Sequence, residues 1–222
     1  YPELEDTVRL VLSRHPQRDL LDADIRCITV ENIPEIPDDT YDAIIARGYT
    51  AMKTLDGCQR TPTIQLSITG YDLVRAVSEC CETYHPRKIA VCGFGQQMYE
   101  VKTIFHFFHV DGEIYDTIRH EDLKETVARA KAAGCDALVG GYSANLQARL
   151  AGLNAVVFRT GEDAVLRALN EAIHTVERIR QERIVSQMYK TIIYYSKARL
   201  LFVSRDGTLL VRNRVLKKMN GD

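Results

Sequence analysis

The chain has 222 residues, of which 45% are hydrophobic and 27% are charged, and its formal net charge at pH 7 is −1. This length suits one large or two small domains, and the composition is typical of a globular protein. A charge so close to zero excludes a strong overall attraction to nucleic acid or to an anionic membrane, although it does not exclude a DNA-binding neighbour.

Short apolar runs alternate with helical patterns along most of the chain. Seven runs are predicted to be strands: 25–30, 42–46, 63–68, 88–92, 111–116, 136–140 and 154–158. Helical patterns are predicted at the amino terminus and at 50–57, 71–84, 97–108, 121–133, 143–151 and from 162 onward. Several strands are β-branched and continuously apolar, so we expect helices on both of their faces. This alternation predicts right-handed βαβ units and largely parallel sheets.

The predicted fold is α/β, with two Rossmann-like lobes and a cleft between them. A joint at 84–88, where Pro86 stops the preceding helix, separates the lobes. The first lobe is predicted at 1–84, completed by about 161–183, and the second lobe at 85–160. Since an α/β lobe normally begins with a strand, the first strand either precedes this sequence or is absent.

A long connector helix is predicted over residues 162–198, because this stretch contains no glycine or proline and is rich in helix formers. Its apolar residues form a narrow seam: Val165, Leu169, Ala172, Val176 and Ile179, continued after a slip by Ile184, Met188 and Ile192. Such a seam suits either a dimerising signalling helix or simple packing on the globular body, and we favour a homodimer.

The sequence changes character after the long helix. Two apolar runs flank Asp206-Gly207, which predicts a β-hairpin. Asn213 is suited to capping a short helix after it. We expect residues 199–222 to be the beginning of a further domain.

Cysteine usage and hydropathy restrict the cellular setting. The six cysteines form no CxxC pair, and four of them lie in or beside apolar segments: Cys27, Cys58, Cys80, Cys81, Cys92 and Cys135. We therefore predict reduced core thiols rather than disulfides or a metal cluster. No signal peptide or membrane-spanning run is evident, so we expect a cytoplasmic protein with no membrane partner.

The ends of the predicted strands carry the residues best suited to binding. In an open α/β sheet, ligands bind beyond the carboxyl ends of the strands, where helix amino termini present free N–H groups. The candidate ligand-binding residues there are Arg47, Gly48, Tyr49, Thr50, Thr69, Gly70, Tyr71, Gly93, Phe94, Gly141, Tyr142, Arg159, Thr160, Gly161 and Glu162. Arg47 and Arg159 favour a small carboxylate ligand, because guanidinium pairs bidentately with carboxylate.

Each of these loops also has a purely structural interpretation. Tight βα turns often need glycine. The threonines of the loops are equally suited to helix capping: Thr50, Thr69 and Thr160. Arg47 is also suited to pairing with Asp42 or Asp72. The convergence of several loops supports a binding site more strongly than any single loop does.

Motifs of known catalytic and cofactor sites are incomplete or missing. The stretch "GFGQQM" lacks the third glycine of a dinucleotide-binding loop, and the sequence has neither a P-loop nor a GxSxG elbow. We therefore expect no cofactor and no catalytic residue. His106 and His109 have a spacing suited to metal, but their aromatic neighbours and the lack of a third ligand nearby favour a packing role.

Five stretches taken together resemble one protein family: "IIARGYTA", "IQLSITGYDLVRAV", "KIAVCGFGQQMYEV", "CDALVGG" and "AVVFRTGEDAVLRALNEA". They are similar to the amino-terminal sensor domain of the propionate catabolism activator family, bacterial transcription activators that work with sigma-54 RNA polymerase. The resemblance covers about residues 1–183. It implies two lobes like those of a periplasmic binding protein, and a small metabolite ligand, 2-methylcitrate in the founding case. It also places Ser67 and Asp72 in the binding loops.

The resemblance further implies partners for a longer protein. Residues 199–222 resemble the opening of a PAS domain, after which an ATPase module and a helix-turn-helix would follow. DNA, ATP and sigma-54 RNA polymerase would bind those modules and not this chain. The sequence departs from the family at Tyr49, where a second glycine is usual, and in lacking the family's first strand.

Two hypotheses stay open beside a non-catalytic sensor. One is a small α/β enzyme acting on a hydroxy or keto acid, with His106 or His120 as the base. The other is a dimerisation module with an empty cleft.

Overall fold

The computed structural model describes residues 2–28, 36–37, 39–57, 60–93, 101–116, 120–198 and 200–213. The chain divides into two compact units, Tyr1–Ala172 and Ile173–Asp222.

The first unit alternates strands and helices in the predicted order. Its strands are β1 (Ile44–Arg47), β2 (Thr63–Leu66), β3 (Lys88–Gly93), β4 (Asp111–Asp116), β5 (Ala137–Gly140) and β6 (Asn154–Val157). Its helices are α1 (Pro2–Arg14), α2 (Gly48–Gly57), α3 (Gly70–Tyr84), α4 (Val101–Phe107), α5 (Leu123–Ala132), α6 (Tyr142–Leu150) and the beginning of α7 (Glu162–Tyr195). Short 3-10 turns lie at Arg18–Leu20 and His120–Asp122.

The strands form two parallel sheets. β1 pairs with β2, and the other four strands are ordered β4-β3-β5-β6 with every neighbouring pair parallel. The predicted α/β architecture with parallel sheets is therefore confirmed. Parallel strands place their carboxyl ends at one edge of a sheet, which is where the candidate binding loops follow.

The predicted strand at 25–30 is wrong for the residues that the structure describes. Residues 25–28 form no strand, and residues 29–30 lie outside the described ranges. Arg26 instead donates to Asp24 Oδ2 at 2.6 Å, and the Tyr41 hydroxyl donates to the same oxygen at 2.6 Å. The hydrogen bond from Arg26 and, to a smaller extent, the one from Tyr41 lower the pKa of the Asp24 carboxyl.

Both faces of the four-stranded sheet are covered, as the continuous apolar strands predict. Ile89 and Val91 of β3 pack with α3 and α4 on one face. Ala90 and Cys92, which alternate with them, pack with α5 and α6 on the other face. Alternate residues of one strand thus enter two separate cores, which makes a three-layer α/β/α arrangement.

The predicted joint at 84–88 is a tight turn between α3 and β3. His85 adopts a left-handed backbone conformation with φ of 44°, and its N–H donates to the Cys81 carbonyl. The buried face of α3, through Leu73 and Val77, packs in the core of the four-stranded sheet. Residues 1–172 form one compact unit, so the division of the chain into two lobes stays a prediction.

The second unit contains the rest of α7 and a hairpin. β7 (Leu201–Val203) and β8 (Leu209–Arg212) pair antiparallel around Gly207, which has φ of 89°. The predicted hairpin is therefore confirmed. The Asn213 side chain donates to the Ala198 carbonyl at 2.7 Å, whereas the helix that it was predicted to cap lies outside the described residues.

α7 is a single helix of 34 residues, as predicted from its composition. The first part of its apolar seam is buried in the first unit, at Val165, Leu169 and Ala172. Farther along, Met188 and Ile192 are 58% and 60% exposed. Packing on the body thus accounts for the beginning of the seam, and the later part is open to a partner. Within the described ranges, no helix is both long and apolar enough to cross a membrane.

Candidate functional site

A pocket of about 410 Å³, lined mostly by polar and charged residues, lies at one edge of the first unit. The amino terminus of α3, the loop from β6 to α7 and one side of α1 form its walls. Its lining residues are Glu3, Leu4, Thr7, Thr69, Tyr71, Asp72, Arg75, Arg159, Thr160, Gly161, Glu162 and Asp163. The pocket therefore brings together seven of the predicted site residues: Thr69, Tyr71, Asp72, Arg159, Thr160, Gly161 and Glu162.

The floor of the pocket is organised by Asp72, which is 1% exposed. Its Oδ2 accepts hydrogen bonds from the Thr69 N–H at 3.1 Å and from the Thr69 hydroxyl at 2.8 Å, and the Thr69 hydroxyl accepts from the Asp72 N–H. This is a capping box, so the capping interpretation of Thr69 is confirmed. The other oxygen, Oδ1, accepts from the Gly161 N–H at 2.9 Å. Asp72 thereby joins the start of α3 to the loop before α7.

Gly161 is required for this close approach. A Cβ atom at this position would lie 2.9 Å from Asp72 Oδ1, which is closer than real Cβ contacts come. The sequence suggests that Gly161 serves a tight turn or a ligand. The structure shows that Gly161 also leaves room for the buried carboxylate of Asp72.

Two arginines line the pocket, and both are engaged by the protein itself. Arg75 donates to the Arg159 carbonyl at 2.8 Å and to Asp72 Oδ1 at 3.3 Å. The Arg159 side chain is 55% exposed and lies 3.6 Å from Glu3 Oε2 and 3.7 Å from Glu79 Oε1. The backbone of Arg159 is thus held firmly, while its guanidinium makes only loose, solvent-exposed ion pairs.

The lining combines groups of opposite charge with hydroxyls. Thr160 is 6% exposed, and its Oγ1 has no hydrogen-bond partner among the described residues. The Tyr71 side chain is 73% exposed, with the Arg75 guanidinium 5.9 Å from its ring centre. The lining carries four carboxylates, two guanidinium groups and several hydroxyls, so it offers both hydrogen-bond donors and acceptors to a small polar molecule.

Arg47 lies at the carboxyl end of β1 and makes a contact that the sequence did not predict. Its guanidinium donates to the Phe158 carbonyl at 3.0 Å, so it joins the end of β1 to the end of β6. Arg47 does not line the described pocket. An arginine is tolerated at this strand end because a backbone carbonyl accepts its hydrogen bond. A direct contact of Arg47 with ligand stays a prediction.

The remaining residues of the first predicted loop lie in α2. Gly48 has φ of 56°, a conformation that favours glycine. Thr50 lies inside the helix, where its carbonyl accepts from the Thr54 hydroxyl, so its predicted capping role is wrong. The Tyr49 side chain lies outside the described residues.

The other predicted site residues follow the strand ends but are not among the residues that line this pocket. Ser67 and Gly70 are exposed beside β2, whereas Gly93 is the buried last residue of β3. Gly141 precedes α6, and Tyr142 at its start is 66% exposed. Phe94 lies outside the described residues. Their roles in binding stay predictions.

The packing role predicted for the histidine pair is wrong. His106 and His109 are both exposed, with ring centres 6.4 Å apart. In the part of the chain that the structure describes, no group of three or more His, Cys, Asp or Glu residues is arranged to hold a metal ion. The His120 side chain lies outside the described residues.

Most of the described cysteines agree with the predicted core thiols. Cys80, Cys92 and Cys135 are buried, whereas Cys27 is exposed and Cys58 lies outside the described residues. Burial raises the pKa of the Cys80 thiol to about 12, which makes it a poor nucleophile at neutral pH.

Sequence reasoning missed the contribution of α1 to the pocket. Glu3, Leu4 and Thr7 reach it from the amino-terminal helix, whose docking depends on long-range contacts such as that of His15 Nε2 with Asn170 Oδ1 at 3.1 Å. No local pattern encodes such a contact. Arg75 was detectable, since it lies one helical turn after Asp72 and faces the same side.

The fold is a parallel α/β domain with a polar pocket where two helices begin. Residues 22–182 match the model of a family described as propionate catabolism activator, and the chain belongs to this family. Membership of a family of activators supports a regulatory role. A comparison with curated proteins gave no match.

Solved structures show a similar fold. The crystal structure of an NtrC family transcriptional regulator from Clostridium acetobutylicum matches with a TM-score of 0.56 and 18% sequence identity, covering 78% of each chain. At this identity the likeness shows the fold alone.

Proposed function

We propose that this chain is a non-catalytic, cytoplasmic sensor domain of a sigma-54-dependent transcription activator, and that it binds a small carboxylate metabolite such as 2-methylcitrate. The observation that carries the proposal is the pocket at which α3 and α7 begin together, with the Arg159 guanidinium at its edge. A guanidinium group favours an anion. The match to an activator family supports the same function.

Arg159 is the proposed anchor for a ligand carboxylate. Its side chain is exposed and its ion pairs with Glu3 and Glu79 are long, so a ligand carboxylate can replace these partners. The Thr160 hydroxyl, which has no partner among the described residues, is the proposed partner of a ligand hydroxyl. Ligands with both groups, such as hydroxylated di- and tricarboxylates, fit this pair.

Arg159→Ala is expected to abolish stabilisation by carboxylates. A tricarboxylate at 100 times its Kd stabilises the wild-type chain by about 2.7 kcal/mol, and this gain should fall below about 1 kcal/mol in the variant. Calorimetry against a panel of di- and tricarboxylates, including 2-methylcitrate, identifies the ligand, and melting curves measure the gain.

Arg18→Ala is the matched control, because the Arg18 side chain is 64% exposed and makes only long contacts, 3.6 Å to Asp19 Oδ1 and 3.5 Å to the Ser13 carbonyl, in the described structure. It should bind like the wild-type chain. Equal carboxylate binding by the Arg159 variant would contradict the proposed anchor, and turnover of any panel member would contradict the non-catalytic assignment.

The long helix is the proposed route of the signal. α7 begins at the pocket and continues into the second unit. A ligand shifts a two-state equilibrium only by its differential affinity for the two states, and a near-complete switch needs about 5.5 kcal/mol. We propose that the hairpin after α7 begins a PAS domain, and that ATP, DNA and sigma-54 RNA polymerase bind modules outside this chain.

The exposed later part of the α7 seam is the proposed homodimer contact. Ile184, Met188 and Ile192 recur four residues apart on one face and are 47%, 58% and 60% exposed. A face of this kind is stabilised when a second copy of the helix covers it.

Met188→Glu should convert a dimer of this chain into a monomer, because it places a charge in the centre of the seam. Light scattering after size-exclusion chromatography measures the mass. Gln187→Glu adds the same charge to a neighbouring exposed position and should leave the dimer intact. A monomeric wild-type chain at high concentration would contradict the proposed contact.

A further inference from the structure

We propose that Glu3, which lines the pocket, and Glu79, which lies outside the lining but beside Arg159, determine the affinity and specificity of the pocket: both are internal carboxylates that compete with a ligand carboxylate for the Arg159 guanidinium. The proposal rests on the proposed function, since it takes Arg159 as the anchor. It assigns a role to two acidic residues from separate helices, α1 and α3.

The two glutamates approach different nitrogens of the same guanidinium. Glu3 Oε2 lies 3.6 Å from Arg159 Nε, and Glu79 Oε1 lies 3.7 Å from Arg159 Nη2. They therefore lie beside two of the donors that a bound carboxylate would use, without forming a hydrogen bond to either. In this arrangement the carboxylates of Glu3 and Glu79 take the place of the ligand carboxylate beside Arg159.

A ligand carboxylate can replace either glutamate in its ion pair with Arg159. Their distances exceed the roughly 2.7–2.9 Å of a strong charge-assisted hydrogen bond. The side chains of Glu3, Glu79 and Arg159 are 67%, 41% and 55% exposed. A glutamate can therefore rotate into water without any movement of the backbone.

The backbone beneath the guanidinium is held by separate contacts. Arg75 donates to the Arg159 carbonyl at 2.8 Å, and the Gly161 N–H donates to Asp72 at 2.9 Å. Exchange of one carboxylate for another therefore leaves the loop in place. The glutamates affect only how tightly Arg159 receives an anion.

Competition of this kind raises the threshold for binding. A simple anion offers one carboxylate and gains little by replacing a glutamate that is already there. A ligand with further groups gains additional contacts, for example with the Thr160 hydroxyl. The two glutamates thus discriminate against small anions such as acetate in favour of larger hydroxy acids.

Glu3→Gln and Glu79→Gln test the proposal with citrate as the probe. Each variant removes one negative charge close to the bound carboxylate and should lower the Kd for citrate about fivefold, and the double variant further. Acetate should bind measurably to the double variant and not to the wild-type chain. Calorimetry at low and at physiological ionic strength measures both, with a smaller effect in salt.

Glu82→Gln is the matched control, because Glu82 lies on the same helix, carries the same charge and accepts from the Ser78 hydroxyl at 2.7 Å. Its Kd for citrate should change less than about twofold. Equal effects in all three single variants, or no tightening in the Glu3 and Glu79 variants, would overturn the competition while leaving the anchor intact. If citrate and the rest of the carboxylate panel bind to none of the proteins, the proposed function itself is overturned, and this inference with it.

Discussion

Asp72→Ala is expected to lower the free energy of unfolding by about 3–5 kcal/mol. The Asp72 side chain is 1% exposed and accepts from the Thr69 N–H, the Thr69 hydroxyl and the Gly161 N–H. Its removal leaves these part-buried donors without their acceptor and removes the Asp72 half of the capping box, whereas the bond from the backbone N–H of residue 72 to the Thr69 hydroxyl remains. Urea titration followed by circular dichroism measures the loss.

Two further variants make this prediction sharper. Asp72→Asn keeps one carbonyl oxygen as an acceptor and should lose about half as much stability. Asp163→Ala removes an exposed carboxylate from the first turn of α7 and should cost about 1 kcal/mol or less. If Asp72→Ala costs no more than Asp163→Ala, the buried carboxylate does not hold the two helix starts together.

Phe158→Ala should also lower the free energy of unfolding by about 3–5 kcal/mol. Phe158 follows β6 directly, is 1% exposed and packs in the core between the four-stranded sheet and the helices α3 and α4. The variant keeps the backbone carbonyl to which Arg47 donates, so the loss reports the missing ring and the cavity that it leaves.

Phe107→Ala provides the comparison, because the Phe107 ring at the end of α4 is 74% exposed. It contacts the Phe108 ring at 5.2 Å and should cost about 1 kcal/mol or less. Similar losses in the two variants would show that Phe158 is not a core residue in solution.

Six of the seven predicted strands were correct to within two residues at each end. The continuous apolar runs that predict them, such as 88–92 and 136–140, are buried on both faces, so local pattern and tertiary environment agree. The run at 25–30 has a similar composition, but a strand forms only where a neighbouring strand hydrogen-bonds to it, and residues 25–28 form no strand. At Arg26 the carboxylate of Asp24 provides a local alternative.

The site was less predictable than the fold. The structure brings Thr69 and Arg159, which follow two different strands, to one pocket, as the rule for strand ends predicts. It could not show that Arg47 bonds to a backbone carbonyl, because strand order and loop geometry decide which neighbour a side chain meets. The same limit applies to α1, whose place beside the pocket depends on residues more than 150 positions away, as in the contact of His15 with Asn170.

The contact between Asp72 and Gly161 makes the evolution of these two positions interdependent. A methyl group at position 161 leaves no room for the carboxylate oxygen, and a shorter side chain at position 72 leaves the glycine amide without its acceptor. Among homologous sequences, we therefore expect the pair to be inherited together or replaced together. A single exchange at either position should be rare, whichever metabolite the homologue detects.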